Sequence, residues 1–282
     1  MKITPYPDAA SFLEENLSLL EQEEAANNLI LGIALGIKQG ASVYEKAHFL
    51  GVRKGGRSIF CALQTPPRNL LIYGPSEYSS GCASIIYNYV VQEGIAVPGF
   101  IGPKDVVEPF AGSWSMLAGC AWAVKQAMGV FQLKEVIPPL YSGGNLRKAG
   151  FEDKALAFRW MHAFYIEALG EADEAFCRQL VDRHLERGEL FLWEDQEPVS
   201  MAAATRRTRH GITVNAVYTP PEHRGKGYAS NCVAQLSRQL LESGYEFCAL
   251  FTNLSNPTSN KIYQAIGYQK VGEFVEVRPL KK

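Results

Sequence analysis

The sequence predicts an α/β (α+β) chain of two domains, each a mixed, mainly antiparallel twisted sheet flanked by helices. Segments with helical spacing and segments with strand spacing follow one another in a fixed order, and that order occurs twice. Between the two occurrences lies 136–145, where Pro138, Pro139, Gly143 and Gly144 cluster without periodicity, as expected of a linker. The expected domains are therefore 1–135 and 146–282, and a cut in the linker should leave two folded pieces. With 282 residues, 47% of them hydrophobic and 20% charged, each half can bury a core of its own.

In the N-terminal half a helix is expected over 9–24, apolar segments over 26–37, and strands over 49–53, 58–64 and 70–73. A helix over 82–93, a short strand over 99–102, a helix over 104–118 and a strand pair over 120–131 complete it. In the C-terminal half Leu156, Trp160 and Phe164 recur at helical spacing within 152–169, and the pattern repeats over 172–187 before Gly188. Three strands follow, over 190–193, 198–205 and 212–218, then a helix over 227–243 and a strand over 247–252. The two halves thus share one order: two helices, an antiparallel meander, then strand, helix, strand, helix.

The junction between the strand over 212–218 and the helix over 227–243 carries the chemistry. It reads Thr219-Pro220-Pro221-Glu222-His223-Arg224-Gly225-Lys226-Gly227-Tyr228-Ala229. Two glycines flank Lys226, which lets backbone come close to a ligand, and the helix that follows aims free N–H groups and its positive dipole end at the turn. Such a turn suits a pyrophosphate. About thirty residues on, after the strand over 247–252, comes Asn256-Pro257-Thr258-Ser259-Asn260-Lys261-Ile262-Tyr263-Gln264-Ala265-Ile266-Gly267-Tyr268.

Together these segments resemble the GCN5-related N-acetyltransferase superfamily. Its coenzyme A loop, Q/R-x-x-G-x-G/A, matches Arg224 to Ala229. Its later pattern, N-x-x-small-x-x-x-Y-x-x-x-G-F/Y, matches Asn256, Ser259, Tyr263, Gly267 and Tyr268. The resemblance covers residues from about 150 to 277, and the N-terminal half reads as a degenerate second copy. It implies an acetyl-coenzyme A-dependent N-acetyltransferase that transfers an acetyl group to a primary amine of a small molecule or peptide. By the same resemblance the diphosphate rests on Arg224, Gly225, Lys226, Gly227, Tyr228 and Ala229, and pantetheine lies along Ala216, Val217 and Tyr218. The Val217 N–H becomes the oxyanion donor, Tyr263 the acid at the sulfur, and Asn256 a helix cap or a pantetheine contact. No general base can be named: Glu222 stands beside the loop, and His162, Glu167 and His210 have no positional warrant. The N-terminal junction from Tyr73 to Gly81 lacks the paired glycines and basic neighbours, which predicts one cofactor site per chain.

Composition excludes other classes. The formal net charge is −1 and basic residues are dispersed, except for Arg206-Arg207-Thr208-Arg209-His210, which reads as a solvated connection, so nucleic acid is not an expected partner. Cys61, Cys82, Cys120, Cys177, Cys232 and Cys248 form no C-x-x-C pair and no metal-ligand spacing, which predicts reduced thiols and no metal. The opening residues lack a signal-peptide apolar region and no apolar run is long enough to span a bilayer, so a cytoplasmic protein without membrane contact is expected. Two alternatives stay open: a non-catalytic acyl-coenzyme A sensor, and a homodimer mediated by the N-terminal half.

Overall fold

A computed structural model describes residues 1–41 and 44–280, with the backbone alone at residue 169. The chain forms two compact units, Met1–Val130 joined by the stretch that begins at Val271, and Phe131–Lys270.

The first unit runs β1 (Lys2–Tyr6), α1 (Ala9–Leu20), α2 (Asn28–Lys38), β2 (His48–Lys54), β3 (Arg57–Gln64), β4 (Leu70–Tyr73), α3 (Ser79–Gln92), β5 (Phe100–Pro103), α4 (Lys104–Ala118) and most of β6 (Trp122–Leu133). Asp8 caps α1 by accepting from the Ser11 N–H at 2.8 Å. Strands β1 to β4 are antiparallel neighbours, and β5 lies parallel to β4. Helices α1 and α2 bury Phe12, Leu20 and Leu31 against Phe49, Cys61 and Leu63 on one face. On the other face α3 and α4 cover Phe60 and Phe100, whose rings meet Phe110 and Trp114.

The second unit repeats the order as β7 (Asn145–Lys148), α5 (Lys154–Leu169), α6 (Glu174–Glu186), β8 (Leu190–Asp195), β9 (Glu197–Thr205), β10 (Gly211–Tyr218), α7 (Tyr228–Glu242), β11 (Phe247–Asn253) and α8 (Pro257–Ala265). Strands β7 to β10 are antiparallel and β11 lies parallel to β10. Helices α5 and α6 cover one face with Trp160, Met161 and Leu180, and α7 and α8 cover the other with Val233, Leu236 and Tyr263.

The boundary departs from the expected linker. Strand β12 (Gln269–Pro279) returns to the first unit, where Phe274–Val277 pair antiparallel with Phe100–Pro103 of β5. There Val275 and Val277 are buried among Phe100 and Phe110. The end of β6 does the reverse: Phe131 and Leu133 are buried in the second unit among Ile266 and Tyr268. The strand pair expected over 120–131 is therefore one long strand, Trp122–Leu133. Residues 136–144 are no free linker, since the Leu140 carbonyl accepts from Asn231 Nδ2 at 2.8 Å and the Gly143 carbonyl from Trp193 Nε1 at 2.8 Å. A cut within 136–145 removes β12 from its unit. Two fully buried valines alone are worth roughly 3–6 kcal/mol, a large share of a domain's net stability, so the pieces are not expected to fold separately.

One buried cluster makes the second unit less stable in acid. His184 and Glu189 are both buried, His184 Nδ1 lies 2.9 Å from Glu189 Oε2, and Arg187 Nε donates to Glu189 Oε1 at 2.8 Å. Burial pushes the Glu189 carboxyl up, but the hydrogen bonds from His184 and Arg187 outweigh it and hold the pKa at about 2. Burial also lowers the pKa of His184, which stays neutral. Both shifts act in the same direction: the folded chain binds fewer protons than the unfolded chain, so stability falls as pH drops. The His184 share begins to be lost below about 6.5, and the Glu189 share between about 4.5 and about 2. The Glu189 share is on the order of 3 kcal/mol. Urea melts from pH 7 to 2 are expected to show this acid limb, and Glu189→Gln to flatten it; an unchanged limb would remove the cluster from the account.

Candidate active site

The site grows from β10. Its parallel register with β11 covers only Gly211↔Phe247, Ile212↔Cys248 and Thr213↔Ala249, after which β10 continues for five residues without that neighbour. On its other edge the β9 register passes from Asn215↔Ala203 to Tyr218↔Met201, three steps against two, which is a β-bulge at Ala216 and Val217. Ala216 sits at φ +48°, an unusual conformation for alanine. The bulge reverses the strand's alternation. Ile212, Val214 and Val217 face the core under α7, whereas Ala216 and Tyr218 face the core under α5. The bulge and the lost β11 pairing together leave Ala216 and Val217 outside both registers.

A short 3-10 turn, Pro221–His223, leads into Arg224, Gly225, Lys226 and Gly227 and then α7. Gly225 and Gly227 adopt φ +78° and +81°, in the left-handed region that favours glycine. A Cβ at Gly225 would meet nothing within 4 Å, while one at Gly227 would lie 3.5 Å from Ser142 Cβ and 3.8 Å from Asn231 Nδ2. The turn therefore offers open space in front of the first N–H groups of a 15-residue helix. That arrangement fits a diphosphate, and the unpaired edge of β10 fits an extended amide-bearing chain.

The side chains divide. Lys226 is exposed, Ala229 lies on the first turn of α7, and Tyr228 is buried with its hydroxyl donating to Asp195 Oδ2 at 2.7 Å. Arg224 is exposed but tied down: its Nε donates to the Thr219 carbonyl at 2.8 Å, and its Nη2 reaches both carboxylate oxygens of Glu167 on α5 at 2.7 and 2.9 Å. Asn256 caps α8, accepting from the Ser259 N–H at 3.1 Å. Tyr263 is buried under α7 beside Cys232 and Tyr268, its ring 6.0 Å from that of Tyr268. Burial first, and then the Cys232 thiol, raise its hydroxyl pKa. Among the described residues its hydroxyl has no hydrogen-bond partner. Tyr263 thus lies on the α7 face and Glu167 on the α5 face. Sequence reading missed the bulge and the Glu167 contact, and no local signal marks either.

The first unit lacks these features. Its β4 is only four residues long, and Cys61↔Tyr73, Ala62↔Ile72 and Leu63↔Leu71 pair without a bulge. A Cβ at Gly102 would stand 2.4 Å from the Ile72 carbonyl, so β5 keeps close to β4 where β11 parts from β10. Among the described residues no group of side chains could hold a metal, and no helix is long and apolar enough to cross a membrane.

Comparisons with known proteins agree with this architecture. The profile of the family described as FR47-like protein matches residues 192–277. No curated protein matches in sequence. Among solved structures, a Drosophila structural-genomics protein aligns with TM-score 0.69 at 14% identity, covering 99% of this chain and 98% of that one. A GCN5-related N-acetyltransferase from Sphaerobacter thermophilus gives 0.65 at 14%, covering 99% and 96%. A tandem GNAT protein from the clavulanic acid biosynthesis pathway gives 0.62 at 11%, covering 100% and 99%. The profile match falls mostly in the second unit, and the likeness to the solved structures is one of fold: the chain has the fold of a tandem of two GCN5-related N-acetyltransferase units.

Proposed function

We propose that the second unit is an N-acetyltransferase that moves an acetyl group from acetyl-coenzyme A to a primary amine of a small molecule or peptide, by direct attack within a ternary complex. The observation that carries the reading is the coincidence, on one strand, of the lost β11 pairing, the bulge at Ala216–Val217 and the Gly225/Gly227 turn that follows. Acetyl-coenzyme A, when bound, supplies the thioester. The N–H groups of Gly225 to Ala229 take the place of water around the diphosphate, the Arg224 N–H being held by the Pro221 carbonyl at 3.2 Å, and the free edge of β10 at Ala216 to Tyr218 binds pantetheine. Asn256, besides capping α8, holds the start of the helix that carries Tyr263. The Val217 N–H, freed from both registers, is aimed to stabilise an oxyanion, and a preorganised donor of this kind is commonly worth about 3 kcal/mol. The Tyr263 hydroxyl keeps a proton ready on the α7 face for the departing sulfur. With its thiols unpaired and all but Cys120 buried, the protein is read as cytoplasmic.

Calorimetric titration with acetyl-coenzyme A, followed by a thiol-release assay over a panel of primary amines, tests the reading. Binding with turnover on at least one amine is expected; binding without turnover on a broad panel would favour the sensor. The same titration should give one site per chain, because β4 has no bulge, runs only two residues past its register with β5, and is not followed by paired glycines. A stoichiometry near two would show that the first unit keeps a cofactor site.

A further inference from the structure

Arg224 stands at the start of the glycine turn, yet its guanidinium is turned away from it, held by Glu167 and the Thr219 carbonyl and lying over the Tyr218 ring at 5.8 Å. Glu167 reaches this point from α5, the helix that packs on the bulged end of β10 through Trp160, whose ring is 6.3 Å from that of Tyr218. The gap beside β10 therefore has two sides, Tyr263 under α7 and Glu167 with Tyr218 on the α5 side. A carboxylate beside an aromatic ring is the chemistry that recognises an ammonium, although here the Tyr218 ring is itself buried. In the free chain that carboxylate is covered by Arg224. The pair is about half exposed on both partners, so it is weakly held. A diphosphate on the turn carries more charge than one carboxylate and accepts the same planar fork in bidentate fashion.

We infer that Glu167 is the carboxylate that receives the acceptor's ammonium group, that Arg224 covers it in the free chain, and that the cofactor's diphosphate uncovers it by drawing Arg224 onto the turn. Binding is then ordered, cofactor before amine. Glu222, another acid near Tyr218, lies on the exposed turn ahead of Arg224 and has no such cover among the described residues. The inference rests on the reading of the turn as a coenzyme A site.

The sign of one effect separates this role from a structural one. If Glu167 competes with the diphosphate for Arg224, Glu167→Gln and Glu167→Ala should bind coenzyme A about two- to fivefold more tightly than the wild type. Their kcat/KM for the best amine of the panel should fall roughly ten- to hundredfold, mainly through KM. A merely structural tie would weaken coenzyme A binding when broken, and that result overturns the inference. So does equal amine affinity of the wild type with and without coenzyme A. Failure of the wild type to bind coenzyme A at all would instead sink the reading of the turn, and the inference with it. Both variants change an exposed side chain, and thermal melting checks that they fold.

Discussion

Tyr263→Phe is expected to lower turnover about a hundredfold, the usual worth of a positioned acid, with little change in coenzyme A affinity. The ring stays, and with it the packing against Tyr268 and the core under α7. Only the hydroxyl goes, and since no protein group pairs with it, its loss leaves no orphan and the melting temperature should hold or rise. Burial raises its pKa, so the group remains protonated at any working pH and serves as a donor, never as a base. A thiol of pKa near 8.5 leaves unaided once the pH exceeds that value, so the deficit of the variant should shrink as pH rises. Rates measured from pH 6 to 9.5 decide it. Wild-type rates throughout would make Tyr263 a packing residue and bring back the sensor.

Gly225→Asp is expected to raise the dissociation constant for coenzyme A by about a hundredfold or more, close to 3 kcal/mol. Two costs combine. An L-residue at φ +78° is strained by roughly 1–2 kcal/mol, and the new carboxylate stands in the open space that the diphosphate would share. Gly225→Ala carries the first cost alone, and calorimetry on both separates strain from charge. Gly227→Asp is a blunter tool: its side chain would run into Ser142, on the segment laid over α7, and Asn231 of α7 itself, so folding suffers along with affinity. Unchanged affinity in Gly225→Asp would sink the assignment of the turn.

Local signals carried much of this in the sequence itself. Helix α4 runs over the expected 104–118, because Pro103 precedes it and Gly119, at φ +65°, ends it. The meander β8 to β10, the glycine turn and the Asn256 cap lie where pattern and turn chemistry put them. Long-range choices were not legible. Nothing in 269–279 says that Val275 and Val277 pack on Phe100 rather than in the second unit. Nothing about alanine announces a positive φ at Ala216. Arg224 and Glu167 are 57 residues apart, and their meeting depends on where α5 comes to rest on the sheet.

The return of β12 has a consequence for synthesis on the ribosome. Strand β5 is made early, but the strand that pairs with it at Phe100–Pro103 is made about 170 residues later, a delay of roughly ten to thirty seconds at ordinary elongation rates. Throughout that interval β5 presents an unpaired edge, a template for strand addition from any neighbouring chain. The unit that begins to fold first is the one that finishes last, and its exposure to misassembly is set by the time taken to translate everything in between.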